Sequence, residues 1–237
     1  MTLRQQDVRN RLLRALSADD FARLAPHLVP VPLPKHAVLY DFGNSIPFVW
    51  FLEDGLGSVI ARLPDGEAAE IGLYGFEGLA AIPAVLGDTV AENHLTMQIG
   101  GYGFRIDAAE LRAAMRERAD LQRLLLRYVQ YFIVQVGQTA VSNARSSVEA
   151  RLARWLLMGH DRVDGDEVPL THEYLAIMLA VRRSSVTVAI HELEGRGFIR
   201  GRRGSILIRD RAALETFAAH IYGIPEAAFE RLIGWGG

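Results

Sequence analysis

The cationic side chains of this chain gather in one place. Residues 180–211 carry eight arginines, at 182, 183, 196, 200, 202, 203, 209 and 211, against only Glu192, Glu194 and Asp210. That is a local charge of +5 in a chain whose formal net charge is −2. Among all its basic residues only Lys35 is a lysine. A guanidinium offers a planar fork of donors that fits phosphate oxygens or a guanine edge in pairs, which an ammonium does not. Arg182, Arg183, Ser184, Ser185 and Thr187 fall within six positions. Thr171 and His172 stand a short way before them, and Arg202 and Arg203 follow between two glycines. Donors of this kind suit an anionic polymer with readable edges, such as double-stranded DNA.

Something must hold these groups at the surface together. Thr171 fits a helix N-cap, followed by Leu175, Met178 and Leu179 on one face and the small Ala176 where a second helix would cross. Ala180-Val181-Arg182 breaks the pattern. A second helix then runs from about Arg183 to Glu194, with Val186, Ile190 and Leu193 on its buried side, until Gly195 and Gly197 end it. Phe198-Ile199-Arg200 and Ser205-Ile-Leu-Ile208 flank Gly201-Arg-Arg-Gly204, the pattern of a two-stranded hairpin with a basic tip. Helix, turn, helix and hairpin make a winged helix-turn-helix. The helix dipole and the unpaired N–H groups at the start of the second helix favour phosphate. Arg183 is placed to reach a guanine, while Arg202 and Arg203 suit phosphate contacts that position without specifying. Winged units also serve as protein-interaction modules. A ligand receptor whose wing contacts protein is therefore the alternative.

The rest of the chain reads as two further parts. The spacing predicts a helix over Gln5–Leu16, then a second capped by Ser17 with Asp20 at its third position. From Val29 to Ile106 short Val, Ile, Leu and aromatic runs alternate with turn signals at Asp41-Phe-Gly43, Asp54-Gly55, Asp65-Gly66 and Gly87-Asp88, the pattern of a β jelly roll. Asp107 opens a short helix, and a longer one follows over about 119–143. There Leu121, Leu125, Tyr128, Phe132, Gln135, Thr139 and Ser142 recur at alternating spacings of four and three. This is a heptad seam and is expected to pair with the same helix of a second copy. A helix buried inside one protomer is the other reading. Ser146-Ser-Val-Glu149 has capping-box spacing for the next helix, through Leu152, Trp155 and Leu156.

Several chemistries are excluded or disfavoured. The chain has no cysteine, which removes disulfides, thiol catalysis and cysteine-ligated zinc or iron–sulfur clusters. The seven histidines show no paired ligand spacing, so no metal site is expected. No phosphate loop or nucleophile elbow is present, and an enzyme is not expected. No apolar run approaches a membrane span, and the charged N-terminus lacks a signal's apolar core. A cytoplasmic protein without membrane contact is the expectation.

The segment LAIMLAVRRSSVTVAIHELEGRGFI and, before it, Val148-Glu-Ala-Arg-Leu-Ala153 resemble the DNA-reading part and the post-hinge part of the cyclic-AMP receptor protein and fumarate–nitrate regulator (Crp/Fnr) family. The resemblance covers about residues 20–215. It implies an α+β chain with a cyclic-nucleotide-binding-like β-roll sensor over 1–118, a dimerisation helix over 119–144 and a winged-helix DNA-binding domain over 145–237. It further implies a homodimer on a two-fold symmetric operator, contact with RNA polymerase, and a small-molecule effector between roll and long helix. Glu77, Gly78, Tyr128, Phe132 and Val136 are the expected pocket. Members that bind cyclic AMP place an Arg-Ser pair near the phosphate. Here that region reads Thr89-Val-Ala-Glu-Asn93, without a cation and with Glu92 to repel the anion. Cyclic AMP is therefore disfavoured and the effector is left open. Members with a glutamate after the key arginine use it to read cytosine; Ser184 stands there, so the operator is expected to differ.

Overall fold

The computed structural model describes residues 3–234. The N-terminal segment is not the helix its spacing predicts. A 3-10 turn, Gln5–Asp7, precedes a single helical turn, α1, over Arg11–Arg14. Tertiary bonds explain the break. The Glu53 carboxylate accepts the backbone N–H groups of Arg9 and Asn10 at 2.6 and 3.0 Å. The buried Asn10 amide donates to the carbonyls of Leu52 and Gly78. Its oxygen accepts the N–H of Leu13 and so caps α1. Helix α2, Ala18–Leu24, starts as expected with Ser17 accepting the N–H of Asp20.

The middle of the chain forms two four-stranded antiparallel sheets. Strands β1 (Val29–Leu33), β2 (Val38–Tyr40), β3 (Phe48–Leu52), β4 (Leu56–Arg62), β5 (Ala68–Tyr74), β6 (Leu79–Ala80), β7 (His94–Ile99) and β8 (Gly101–Asp107) supply them. Their orders are β1-β8-β3-β6 and β2-β7-β4-β5. A short helix, α3 (Ile82–Leu86), follows β6. The apolar runs are buried between the sheets, with Val49, Phe51, Leu52, Leu79 and Leu95 enclosed in the core. Each fully buried side chain of this kind contributes about 1.5–3 kcal/mol of transfer free energy. Helix α4, Ala108–Glu117, is capped by Asp107.

Helix α5, Ala119–Arg145, is 27 residues long, about 40 Å at 1.5 Å per residue. The seam Leu121, Leu125, Tyr128, Phe132, Gln135, Thr139 and Ser142 is buried, as the heptad demands, but inside one protomer. Leu121 to Gln135 pack on the chain's own roll and Thr139 meets Arg154, so their burial is complete without a second copy. Two glycines of the roll admit the helix. A Cβ at Gly72 would lie 2.7 Å from the Phe132 ring, and one at Gly78 would lie 2.0 Å from the Tyr128 ring. Phe132 stacks on Tyr74 with centroids 4.7 Å apart. The Gln135 amide joins β5 edge to helix, its oxygen accepting the N–H of Leu73 at 2.6 Å.

Helix α6, Val148–His160, is capped by Ser147, which accepts the N–H of Ala150. The predicted capping box was placed one residue early, because Ser146 closes α5. Strand β9, Glu167–Val168, precedes α7 (His172–Met178), α8 (Arg183–Gly195), β10 (Ile199–Arg202), β11 (Ser205–Ile208) and α9 (Arg211–Ala218). The wing is therefore a three-stranded sheet, ordered β10-β11-β9, where a two-stranded hairpin was expected. A two-residue strand about 30 positions upstream leaves no periodic signal. Gly223, with φ of 106°, turns the chain into α10, Ile224–Leu232. This last helix leaves the winged unit and packs on α5, with Phe229 against Tyr131 at 5.1 Å and Leu232 and Ile233 against the roll's core. No helix among the described residues is long and apolar enough to cross a membrane.

Candidate nucleic-acid interface

Thr171 caps α7 by accepting the N–H of Tyr174. Leu175 and Met178 of α7 are buried with Val186, Ala189, Ile190 and Leu193 of α8 in one core, completed by Trp155, Leu156 and Leu157 of α6. The turn between the two helices runs through Ala180, whose φ is +49°. The Val181 N–H returns to the Ala176 carbonyl at 3.0 Å and locks the angle.

This packing leaves Arg182, Arg183 and Ser184 exposed at the start of α8, with Ser185 half-buried behind them. No side chain caps that start, so backbone N–H groups of its first turn are available to an anion beside two guanidinium groups. Thr187 is half-buried. Its hydroxyl lies 3.4 Å from His172 Nδ1 and donates to the Arg183 carbonyl at 3.2 Å, which ties the two helices together. Sequence reasoning missed one member of this face. Val188 is 63% exposed, one turn after Ser184. An alternating apolar pattern could have shown it, because Val186 and Ile190 claim the buried side and leave Val188 outside.

The wing is held to the same helix. Glu194 Oε1 accepts the N–H of Gly201 at 2.7 Å. Glu167 pairs with Arg202 at 2.7 Å and accepts from the Ser205 hydroxyl, and these bonds hold its carboxyl below the usual range, Ser205 first and Arg202 after it. Arg203 stands exposed at the tip beside Gly204, whose φ is 82°. The two wing arginines thus differ, one braced and one open.

The expected effector pocket is a different matter. Tyr128 and Phe132 fill the space between roll and long helix, Val136 is half-buried, and Gly78 lies flat under the Tyr128 ring. Glu77 is buried and committed to Arg162, whose Nη2 and Nε reach its Oε1 at 2.7 and 3.0 Å. Gly78, Tyr128, Phe132 and Val136 meet in a packed joint, and of the five only Glu77 lines an opening. The cause is side-chain volume: two aromatic rings occupy what two glycines vacate. Among the described residues no group of three His, Asp or Glu side chains could hold a metal ion.

A second buried acid joins roll to winged unit. Glu70 of β5 accepts Trp155 Nε1–H of α6 at 2.6 Å and also accepts from Ser58. Burial pushes its carboxyl up to about 8 from an ordinary 4.5, ahead of the downward pull of the Ser58 and Trp155 bonds and of Arg154 and Arg162. The folded state therefore holds this proton more tightly than the unfolded chain does. The stability it contributes is complete below about pH 4.5 and is lost as pH rises through about 8. Glu70→Gln should flatten that decline in urea melts recorded across this window. An unchanged slope would contradict the assignment.

Comparison with known proteins gives the same reading. Residues 150–217 match the Crp-like helix-turn-helix domain. The CRP-like cAMP-activated global transcriptional regulator of Mycobacterium tuberculosis (strain ATCC 25618 / H37Rv) is 21% identical over 210 residues, covering 86% of this chain and 94% of the relative. Among solved structures, FixK2 from Bradyrhizobium japonicum superposes with a TM-score of 0.70 at 14% identity, over 80% of this chain and 96% of that one. A CRP-family transcriptional regulator from Thermus thermophilus gives 0.67 at 22% identity, over 80% and 96%. Fold and site together define a DNA-binding regulator of transcription, a β-roll module joined by a long helix to a winged helix-turn-helix. Residues 150–217 carry a Crp-like helix-turn-helix domain, and the chain as a whole shares the fold of CRP-family regulators.

Proposed function

We propose that this chain is a homodimeric, effector-controlled regulator that reads a two-fold symmetric operator. The observation that carries the reading is the exposed Arg182-Arg183-Ser184 cluster at an uncapped helix start. In a dimer the two copies of α8 would enter successive major grooves about 34 Å apart. Arg183 takes the guanine-reading role, and Val188 offers an apolar contact for a thymine methyl in the same groove. Arg182, Ser185, Thr171, Arg202 and Arg203 position the helix on phosphates, and His172 and Thr187 hold its angle. RNA polymerase is the partner of such a regulator at a promoter, and the cytoplasm its compartment.

The dimer contact is assigned to the exposed face of α5. Leu126, Gln130, Ile133, Gly137, Ala140 and Ala144 are all exposed and recur at spacings of four, three, four, three and four. Each lies five residues beyond a member of the buried seam, about 140° around the helix at 100° per residue. Small residues at 137, 140 and 144 allow close approach of two helices. The control step is a shift of population between a winged unit docked on the roll, through Glu70–Trp155, Glu77–Arg162 and His36–Tyr174, and a released one. The sensor part is 1–118, the dimer helix 119–144 and the DNA-binding part starts at 145. Glu77's commitment to Arg162 favours an effector other than cyclic AMP.

Binding to operators selected from a random duplex library tests this. Arg183→Ala should erase about 1–3 kcal/mol of discrimination between the selected site and a mutated one. Arg202→Ala with Arg203→Ala should weaken all sequences alike and flatten the salt dependence. No selected site, or equal discrimination by Arg183→Ala, would overturn the assignment.

A further inference from the structure

The last helix closes over a cavity of about 250 Å³ at the joint between roll, long helix and winged unit. That is room for about eight waters. Its wall is charged, and the charges are unevenly satisfied. The arginines are engaged: Arg162 donates to Glu77, to the Met158 carbonyl at 2.7 Å and to the Tyr131 hydroxyl at 3.0 Å. Arg11 lies over the Phe76 ring, 5.0 Å from its centre. Asp161 is shared between Arg211 and the Tyr222 hydroxyl.

Glu226 and Glu230 make no ion pair among the described residues, and Glu77 uses only one of its oxygens on Arg162. Glu226 Oε2 caps its own helix through the N–H of Gly223, at 2.9 Å. Burial pushes its carboxyl up, with Asp161 adding to the effect and Arg162 opposing it. Glu230 stands exposed one turn later on the same side of α10. Glu77 is 6% exposed, and its second oxygen, Oε2, is buried with no hydrogen-bond partner among the described residues. Tyr131, Tyr222 and Phe229 complete the wall, and aromatic faces attract cations.

We propose that this cavity is a binding site for a small organic cation, an aliphatic diamine or guanidino compound, and that it is the effector site of the regulator. The second half of this statement rests on the reading of the chain as effector-controlled; the first half does not. The position favours coupling. Glu77 belongs to the roll, Asp161 and Arg162 follow directly on α6, and α10 ties the far end of the winged unit back to α5. A ligand held among them would set the distance between the roll and the DNA-reading unit.

The test uses the full chain with 1,4-diaminobutane, and with 1,4-butanediol and succinate as neutral and anionic probes of like length. Thermal melts should show a rise of several degrees with the diamine at saturation, and little with the other two. Glu226→Gln with Glu230→Gln should remove most of the rise. Glu230→Gln alone leaves the helix cap intact and should reduce diamine affinity at least threefold in calorimetric titration. No diamine binding, equal binding by the double variant, or an equal response to butanediol or succinate would overturn the site. Operator affinity then separates the two halves. Diamine binding that changes wild-type operator affinity, but not that of the double variant, supports effector control. Binding with no such change keeps the site and overturns its role as effector site.

Discussion

Arg162→Met should cost about 3–5 kcal/mol of folding stability, the loss expected when one member of a buried ion pair is removed. Both side chains of the Arg162–Glu77 pair are almost fully enclosed, at 5% and 7% exposure, and the pair closes at 2.7 Å. Methionine fills much of the volume but leaves Glu77 without its counter-charge, with the Tyr131 hydroxyl and the Met158 carbonyl also losing a donor. The companion variant identifies the cause. Glu77→Leu added to Arg162→Met removes the stranded charge and should recover about half of the loss or more, because a buried pair replaced by apolar groups is often neutral. Urea melts at neutral pH measure both. A loss under about 1 kcal/mol for the single variant would mean that water reaches the pair. Because Glu77 lies in the roll and Arg162 just beyond α6, the single variant should also loosen the docking of the winged unit.

Ile133→Glu should yield monomers and lower operator affinity by about 100-fold or more, because two linked reading helices gain that much over one. Ile133 is 56% exposed in the protomer and central in the stripe from Leu126 to Ala144. A charge there costs the protomer little and a two-helix interface a great deal. The neighbouring Phe132→Glu makes the contrast. Phe132 stacks on Tyr74 and presses on Gly72, so its replacement should unfold the chain by several kcal/mol rather than separate folded copies. Light scattering and melts on the two variants distinguish the faces. A dimer in Ile133→Glu would refute the stripe, and folded monomers from Phe132→Glu would restore the buried seam as the interface.

Much of this was legible in the residues. Caps declare themselves because a hydroxyl or carboxylate satisfies N–H groups two or three positions on, so Ser17, Asp107 and Thr171 were readable one by one. Alternation in the strands and the Val186-Ile190-Leu193 spacing fixed which side of each element turns inward. The +5 charge of residues 180–211 located the DNA-reading segment without any geometry, since charge density is local. The absent cysteines closed off cluster and thiol chemistry in the same direct way.

Tertiary structure decided the rest. Periodicity says that a face of α5 must be covered, but not by what, and within the protomer the roll covers Leu121 to Gln135 while Arg154 of α6 meets Thr139. The packing at the expected pocket has a related origin: Gly72 and Gly78 admit two aromatic rings only because β5 and the loop after it lie against α5. The predicted Gln5–Leu16 helix was broken by Glu53 and Leu52, more than 40 positions away. Glu70 with Trp155 and Glu77 with Arg162 are each 85 positions apart, and α10 returns to the long helix after the whole winged unit has been built. Local patterns record which atoms need a partner. Only the folded chain, where burial makes an unmet need costly, determines which partner each one finds.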